Sequence, residues 1–145
     1  HDIDLMRYIF EEDPVSVYAR AGRLRHRRFE DYAQVMLAFP DGKSAFLEAN
    51  WLTPYKVRML TVTGSEAIIT IDYITQKIMI ETSSKTLIPR YEWKEPLKLE
   101  LQHFVESILN KNNPMVTGLD GVKALKIAEA VLESAEKNRL IELNL

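Results

Sequence analysis

The residue with the clearest capacity for chemistry stands at the start of the chain, where His1 is followed by Asp2 and Asp4. An imidazole has an unperturbed pKa of about 6.5, so it can accept or donate a proton near neutral pH. The apolar spacing over residues 3–10 predicts a short amphipathic helix with His1 at its N-terminus. A solvated chain end is the alternative for His1, and the two aspartates are typical helix-capping residues in either case.

These residues do not predict a metal site. Neighbouring side chains on a helix diverge, so Asp2 and Asp4 are poorly placed to share an ion with His1. The other histidines, His26 and His103, offer no spacing that completes a ligand set. The chain has no cysteine, which excludes disulfides, thiolate metal sites and cysteine nucleophiles.

A second group of chemically capable residues follows Leu47. Lys56 and Arg58 lie two positions apart after Pro54, at the edge of a predicted strand, so they would project to one side and could hold a diphosphate or a carboxylate. Trp51 and Tyr55 could stack on a sugar or a base. Ordinary surface charge and sheet packing are the alternatives for these four residues.

The segment Arg20–Arg28 contains five arginines and a histidine in nine residues. Alone, this run indicates phosphate binding, either to nucleic acid or to a nucleotide diphosphate. However, Glu30 and Asp31 follow directly, no nucleic-acid-binding motif surrounds it, and the net charge of the chain is -2. A solvated connection between two strands is therefore the favoured interpretation.

Composition indicates one globular domain over residues 1–145. Of its 145 residues, 46% are hydrophobic and 28% are charged, enough for one buried core. The small net charge predicts no binding to nucleic acid or to an anionic membrane. No apolar run reaches the roughly 18 residues of a membrane span and no signal peptide is visible, so a cytoplasmic protein is expected.

The periodicity of the chain predicts an α+β fold, with a large, mostly antiparallel open sheet and helices on one face. Asp41-Gly42 and Gly64-Ser65 are predicted hairpin turns. Both faces of the strands carry sizeable side chains, Met36 and Met59 among them, so a homo-oligomer through the uncovered face is expected. Helices are predicted at 3–10, 97–110 and 117–138, and strands at 15–20, 32–39, 44–51, 57–63, 67–72, 77–81 and 140–143.

Three stretches of the chain, His1–Tyr8, Asn50–Gly64 and Pro114–Ser134, resemble the C-terminal domain of the Gfo/Idh/MocA oxidoreductases. The resemblance covers essentially all of the sequence. It implies an open-sheet domain like the C-terminal domain of glyceraldehyde-3-phosphate dehydrogenase. It also implies that a Rossmann domain holding NAD or NADP belongs to the enzyme but not to this chain. The segment Asn50–Pro54 is similar to the subset that oxidises nucleotide sugars such as UDP-N-acetylglucosamine at C3.

The same resemblance implies roles for individual residues. His1 falls on the histidine of the family's Asp-x-x-x-His pair, which implies that it contacts the reacting hydroxyl of a sugar or nucleotide sugar. The Asp of that pair would precede the chain, so the sequence is interpreted as part of a longer enzyme and inactive alone. The five glycines are scattered and form no GxGxxG, so no cofactor-binding residue is expected. The substrate-binding residues implied are Asn50, Trp51, Tyr55, Lys56 and Arg58.

A reading of a different class stays open beside the enzyme. The chain could be a non-enzymatic α+β module for oligomerisation or nucleic-acid binding, with Arg20–Arg28 as the contact. The two readings differ in what they expect of the basic segment, because nucleic-acid affinity falls steeply as salt rises.

Overall fold

The computed structural model describes all residues from His1 to Leu145, which form three α-helices and eight strands. Every paired strand is antiparallel, so the predicted α+β class and the antiparallel arrangement are confirmed. No helix combines the length and the apolar character needed to span a bilayer. The elements are α1 (Asp2–Phe10), β1 (Ser16–Gly22), β2 (Tyr32–Ala38), β3 (Ser44–Asn50), β4 (Met59–Thr63), β5 (Ala67–Asp72), β6 (Lys77–Thr82), β7 (Thr86–Leu87), α2 (Pro96–Leu109), α3 (Gly118–Lys137) and β8 (Ile141–Glu142).

The strands form two four-stranded sheets, ordered β3-β2-β1-β8 and β4-β5-β6-β7, where the sequence predicted one large sheet. The break follows β3, because the Asn50 side-chain oxygen accepts hydrogen bonds from the backbone N–H groups of Leu52 (3.0 Å) and Thr53 (3.1 Å). Pro54 then follows, and proline cannot donate to a sheet ladder.

The chain packs as two compact units. The first contains His1–Thr53 and Asn113–Leu145, and the second contains Pro54–Asn112. Met36 and Met59, which the sequence analysis placed on one surface, lie in different sheets and different units. That all 145 residues act as one substrate-binding domain stays a prediction.

The core of the first unit lies between its sheet and α3. Val17, Leu37 and Ala45 are partners across β1, β2 and β3, and all three are buried. Ile127 of α3 is also fully buried. The hydroxyl of Ser134, with no exposed surface, accepts a hydrogen bond from the Ala19 N–H (2.9 Å), which fixes α3 against the central strand.

The opposite face of this sheet is open. Tyr18, Met36 and Phe46 are cross-strand neighbours there, and Phe46 is 77% exposed. Met36 is also exposed, whereas Tyr18 is half-buried and its hydroxyl donates a hydrogen bond to the Asn138 side chain of the same unit (3.0 Å). The predicted homo-oligomer through the sheet therefore has an apolar patch available to it and stays a prediction.

In the second unit, alternation places one apolar row across three strands, containing Leu60, Ile71 and Ile78. Most side chains on α2 are exposed, including Phe104 and Ile108 of its predicted apolar stripe. Helical periodicity therefore located α2 correctly but did not show that its stripe stays uncovered in this chain.

Candidate active site and substrate surface

His1 is the N-cap residue of α1, and its imidazole is exposed and makes no capping hydrogen bond. Its backbone carbonyl accepts the Leu5 N–H at 3.0 Å, so the first helical turn begins at this residue. Asp4 does not orient the imidazole, because its carboxylate is paired with Arg7 at 2.9 Å. The first residue is thus anchored through its backbone while its side chain stays available.

Arg7 fixes the helix that carries His1. Its side chain is only 9% exposed and bonds three carboxylates, those of Asp4, Asp13 (2.7 Å) and Asp120 (3.2 Å). Asp120 belongs to the first turn of α3, so the guanidinium joins α1 to α3. Sequence reasoning missed this centre: the spacing of Asp4 and Arg7 was visible, but nothing local identified Asp120 as a partner.

Two of the carboxylates around Arg7, those of Asp13 and Asp120, are held in the charged state. Partial burial alone would raise the pKa of Asp13, but hydrogen bonds from Lys123 and Arg7 outweigh it and hold this pKa below its ordinary value. For Asp120, hydrogen bonds from the backbone and hydroxyl of Thr117, together with one from Arg7, lower the pKa to about 2. Thr117 and Asp120 form a capping box at the residue where the sequence predicted this helix to begin.

A cleft of about 380 Å³ lies between α1 and the start of α3. Five of its charged lining residues, Asp4, Arg7, Asp13, Asp120 and Lys123, already pair with one another, and Glu12 pairs with Lys43. Glu11 also lines the cleft and forms no ion pair, so the cleft has no unpaired cation that could hold an anion. No three His, Asp or Glu side chains in the chain are arranged to hold a metal ion.

Asn50 is the last residue of β3 in the first unit, and Trp51 follows it. The Asn50 side-chain oxygen is engaged by the two backbone donors described above, which leaves its amide N–H groups for another partner. Trp51 is 88% exposed, yet its backbone N–H donates to the Asp31 carbonyl at 2.8 Å. The indole is therefore presented to solvent from a fixed backbone.

Tyr55, Lys56 and Arg58 belong to the second unit and are exposed. They precede β4, which begins at Met59, so the predicted strand 57–63 started two residues too early and Arg58 lies just outside β4. Pro54 has no N–H to donate to a sheet. The hydrogen bond that the Arg58 carbonyl accepts from the Tyr73 N–H, at 3.0 Å, lies directly before β4. Neither cation forms an ion pair within the chain.

Arg20 of the basic segment lies in β1, and its other arginines lie in the connection from β1 to β2, as the favoured interpretation expected; residues 23–30 are exposed. Sequence reasoning treated Asp31 only as a counter-charge. In the structure its carboxylate is an anchor, because it accepts the backbone N–H groups of Leu24 (2.9 Å), Arg25 (2.7 Å) and His26 (2.8 Å). Those bonds, with the one from His26 largest, lower the pKa of Asp31.

Comparison with known proteins places this fold. Residues 1–70 match the family model of the GFO/IDH/MocA C-terminal domain. The chain is 28% identical to scyllo-inositol 2-dehydrogenase (NAD(+)) of Bacillus subtilis, over 99% of this chain and 46% of that protein. It is 25% identical to myo-inositol 2-dehydrogenase of Thermotoga maritima, over 99% and 47%. The chain thus spans about half the length of the curated relatives it matches.

Solved structures agree in fold. The aldose-aldose oxidoreductase of Caulobacter crescentus, crystallised with glycerol, matches with a TM-score of 0.85 and 26% identity, over 97% of this chain and 44% of that one. UDP-N-acetylglucosamine 3-dehydrogenase of Acidithiobacillus ferrooxidans has a TM-score of 0.87 and 20% identity, over 94% and 45%. Over residues 1–70 the chain is therefore similar to the C-terminal domain of the GFO/IDH/MocA oxidoreductases, and the whole chain shares the fold of the solved oxidoreductases that it matches.

Proposed function

We propose that this chain is the substrate-binding and oligomerisation part of an NAD(P)-dependent dehydrogenase that oxidises a hydroxyl of a sugar, a polyol or a nucleotide sugar. The observation that carries the proposal is the exposed imidazole of His1, presented from a helix that Arg7 holds in place. The match of residues 1–70 to the GFO/IDH/MocA C-terminal domain and the dehydrogenase names of the curated relatives support it.

We assign to His1 the role of accepting the proton that the reaction releases. Oxidation of an alcohol to a ketone removes a hydride from carbon and a proton from oxygen, so a base beside the hydroxyl is required. The neutral imidazole accepts that proton, and the imidazolium returns it to solvent or to the product in the reverse direction. Because its side chain makes no capping hydrogen bond, His1 keeps both ring nitrogens available for this exchange.

The cofactor would bind outside these 145 residues, and NAD or NADP would accept the hydride there. The residues present do not fit a dinucleotide: Gly118 and Gly121 lie at the start of α3, but the Thr117 and Asp120 side chains already cap that terminus. The sheets offer no parallel strands that could lead into a phosphate-binding helix. This chain is accordingly assigned no cofactor-binding residue.

Substrate contacts are assigned separately to each unit, to residues that end or follow β3. Trp51 and Tyr55 would stack on a sugar ring or a base, and the amide N–H groups of Asn50 would donate to a hydroxyl. Lys56 and Arg58, which lack carboxylate partners in the chain, would hold a phosphate or carboxylate of the substrate. A nucleotide sugar supplies all of these groups, whereas an inositol supplies only hydroxyls.

Oligomerisation and location complete the proposal. The row Tyr18, Met36 and Phe46 is assigned to a symmetric contact with a second copy, because an exposed apolar patch on a sheet is costly unless covered. The absence of cysteine fits a cytoplasmic setting, where thiol chemistry is not used for structure.

The proposal is tested with the gene product that contains this chain. It is incubated with NAD or NADP and a panel of scyllo-inositol, myo-inositol, glucose and UDP-N-acetylglucosamine, and the reduced nicotinamide is followed by absorbance. Reduction with at least one of these hydroxyl compounds is expected. If no compound reduces either cofactor, the proposed function is contradicted.

A double variant tests which class of substrate the enzyme takes. Replacing Lys56 and Arg58 by glutamine should raise KM for UDP-N-acetylglucosamine and leave KM for an inositol unchanged, because only the first carries phosphates. Arg90→Gln, an exposed cation in the same unit without an ion pair, is the matched control. Equal KM values for the pair and the control would contradict the assignment of these two cations.

A further inference from the structure

The loop between β1 and β2 is held by one residue. Asp31 is only 4% exposed, and its carboxylate takes three consecutive backbone N–H groups, from Leu24 to His26. Its own N–H donates to the Gly22 carbonyl (2.9 Å), which closes the base of the loop, and its carbonyl accepts the Trp51 N–H. Asp31 therefore fixes the loop and positions Trp51 beside it.

The loop carries four arginines without carboxylate partners. Arg23, Arg25, Arg27 and Arg28 are exposed, and none forms an ion pair anywhere in the chain. Four like charges within six residues repel one another, so an external anion would relieve the repulsion. Since Asp31 already occupies three backbone amides of the loop, the anion must be held by guanidinium groups. Guanidinium forks favour phosphate oxygens because they bond them in pairs.

The same loop also carries aromatic rings. The Arg28 guanidinium lies 5.2 Å from the centre of the Phe29 ring, and the His26 ring stacks on Phe29 at 5.5 Å. Trp51, backbone-bonded to Asp31, presents an almost fully exposed indole from the same end of the sheet. Phosphate-binding forks and an exposed indole together match the two parts of a nucleotide, its phosphates and its base.

We infer that residues 23–29 and Trp51 form a binding site for the nucleoside diphosphate part of a ligand, with the arginines on the phosphates and the indole on the base. The inference rests on the proposed function only where it takes this nucleotide to be part of the substrate. A nucleic-acid strand is less favoured, because the cations are confined to one short loop in a chain of net charge -2.

The test uses tryptophan fluorescence of this 145-residue chain. Trp51 and Trp93 are its two tryptophans, so Trp93→Phe leaves Trp51 as the reporter. Uridine diphosphate, uridine, inorganic pyrophosphate and a short oligouridylate are titrated in turn. We expect quenching by uridine diphosphate, competition by pyrophosphate, and much weaker binding of uridine, which lacks the phosphates.

Variants of the loop separate specific recognition from charge. Replacing Arg25 and Arg27 by glutamine should weaken uridine diphosphate binding by tenfold or more, about 1.4 kcal/mol. Replacement by lysine should recover only part of it, because lysine keeps the charge and loses the fork. Arg90→Gln, an exposed unpaired arginine of the other unit, should leave binding unchanged.

Three results would overturn the inference: no response to uridine diphosphate, equal affinity in the glutamine pair and the parent, or tighter binding of the oligouridylate than of uridine diphosphate. The assay does not depend on turnover. A gene product that oxidises inositol while this chain ignores uridine diphosphate would refute the site and leave the dehydrogenase standing. Nucleotide binding by this chain, without any dehydrogenase activity of the gene product, would support the site and refute the proposed function.

Discussion

Ser134 offers a direct test of how α3 is held on the first sheet. Its hydroxyl accepts the Ala19 N–H at 2.9 Å and donates to the Arg139 carbonyl at 2.6 Å, so one side chain joins the helix, β1 and the segment after the helix. Both Ser134 and Ala19 have 0% exposure. In Ser134→Ala, the Ala19 N–H loses its side-chain partner in a place that water does not reach.

The magnitude follows from which groups are left unpaired. A buried N–H without a partner costs about 1–3 kcal/mol, whereas the carbonyl of the exposed Arg139 can bond water instead. Alanine has the better helix propensity, which returns at most about 0.5 kcal/mol. Ser134→Ala should therefore lower the free energy of unfolding by about 1–3 kcal/mol.

Ser107 provides the matched control. It is also a buried helical serine, but its hydroxyl donates to the His103 carbonyl of its own helix, at 2.8 Å. Ser107→Ala leaves no N–H unpaired and should change stability by less than about 0.5 kcal/mol. Urea unfolding followed by circular dichroism compares the two variants, and hydrogen exchange of the Ala19 amide reports the local effect. Equal stability of Ser134→Ala and the parent, with unchanged exchange at Ala19, would refute this reasoning.

Three further predictions concern acid stability, assembly and the cofactor. Because the pKa of Asp120 is lowered from 3.8 to about 2, its contribution to stability is present above pH 3.8 and is lost as the pH falls toward 2. Arg7→Gln removes one cause of the shift and should therefore flatten the pH dependence of the free energy of unfolding in that range. An unchanged dependence on pH would contradict this prediction. Phe46→Lys should move the mass measured by light scattering toward the monomer, whereas Glu66→Lys in the second unit should not; a mass unchanged by the first variant would contradict a contact through this sheet face. The 145-residue chain should show no measurable affinity for NAD or NADP by calorimetry, and micromolar binding would contradict the assignment of the cofactor to another part of the enzyme.

Local signals predicted the turns and helix ends of this chain. Asp41 and Gly42 adopt the positive φ angles expected of a tight turn, 58° and 77°. Thr117 caps α3 with Asp120 three residues on, as the capping box predicts. The bonds behind these features join residues a few positions apart, so the sequence contains both partners in one window.

Contacts between distant residues were not predictable in the same way. Arg7 and Asp120 are 113 residues apart, and no local pattern marks an arginine that binds three carboxylates. The Trp51 to Asp31 bond likewise depends on the register of β2 and β3. The division into two sheets was missed because alternation predicts strands without stating which strands pair.

The candidate site also combines features that the local sequence predicted with features that it did not. The position of His1 at a helix N-terminus followed from the apolar spacing of the next residues. The strand predicted from residue 57, which would have included Arg58, begins only at Met59, after the Asn50 turn and Pro54. In the sequence, only the negative charge of Asp31 beside the arginines was apparent. In the fold, its carboxylate holds the loop by accepting backbone N–H groups.

The role of His1 is tested most directly by its replacement in the gene product that contains this chain. His1→Ala should lower kcat by about 10²- to 10⁴-fold, the usual contribution of a positioned acid–base group, and leave the KM for NAD or NADP unchanged. The parent enzyme should also lose kcat as the pH falls through the pKa of one group, and the variant should lack that dependence. A His1→Ala enzyme that keeps the parent's kcat and pH profile would contradict the account.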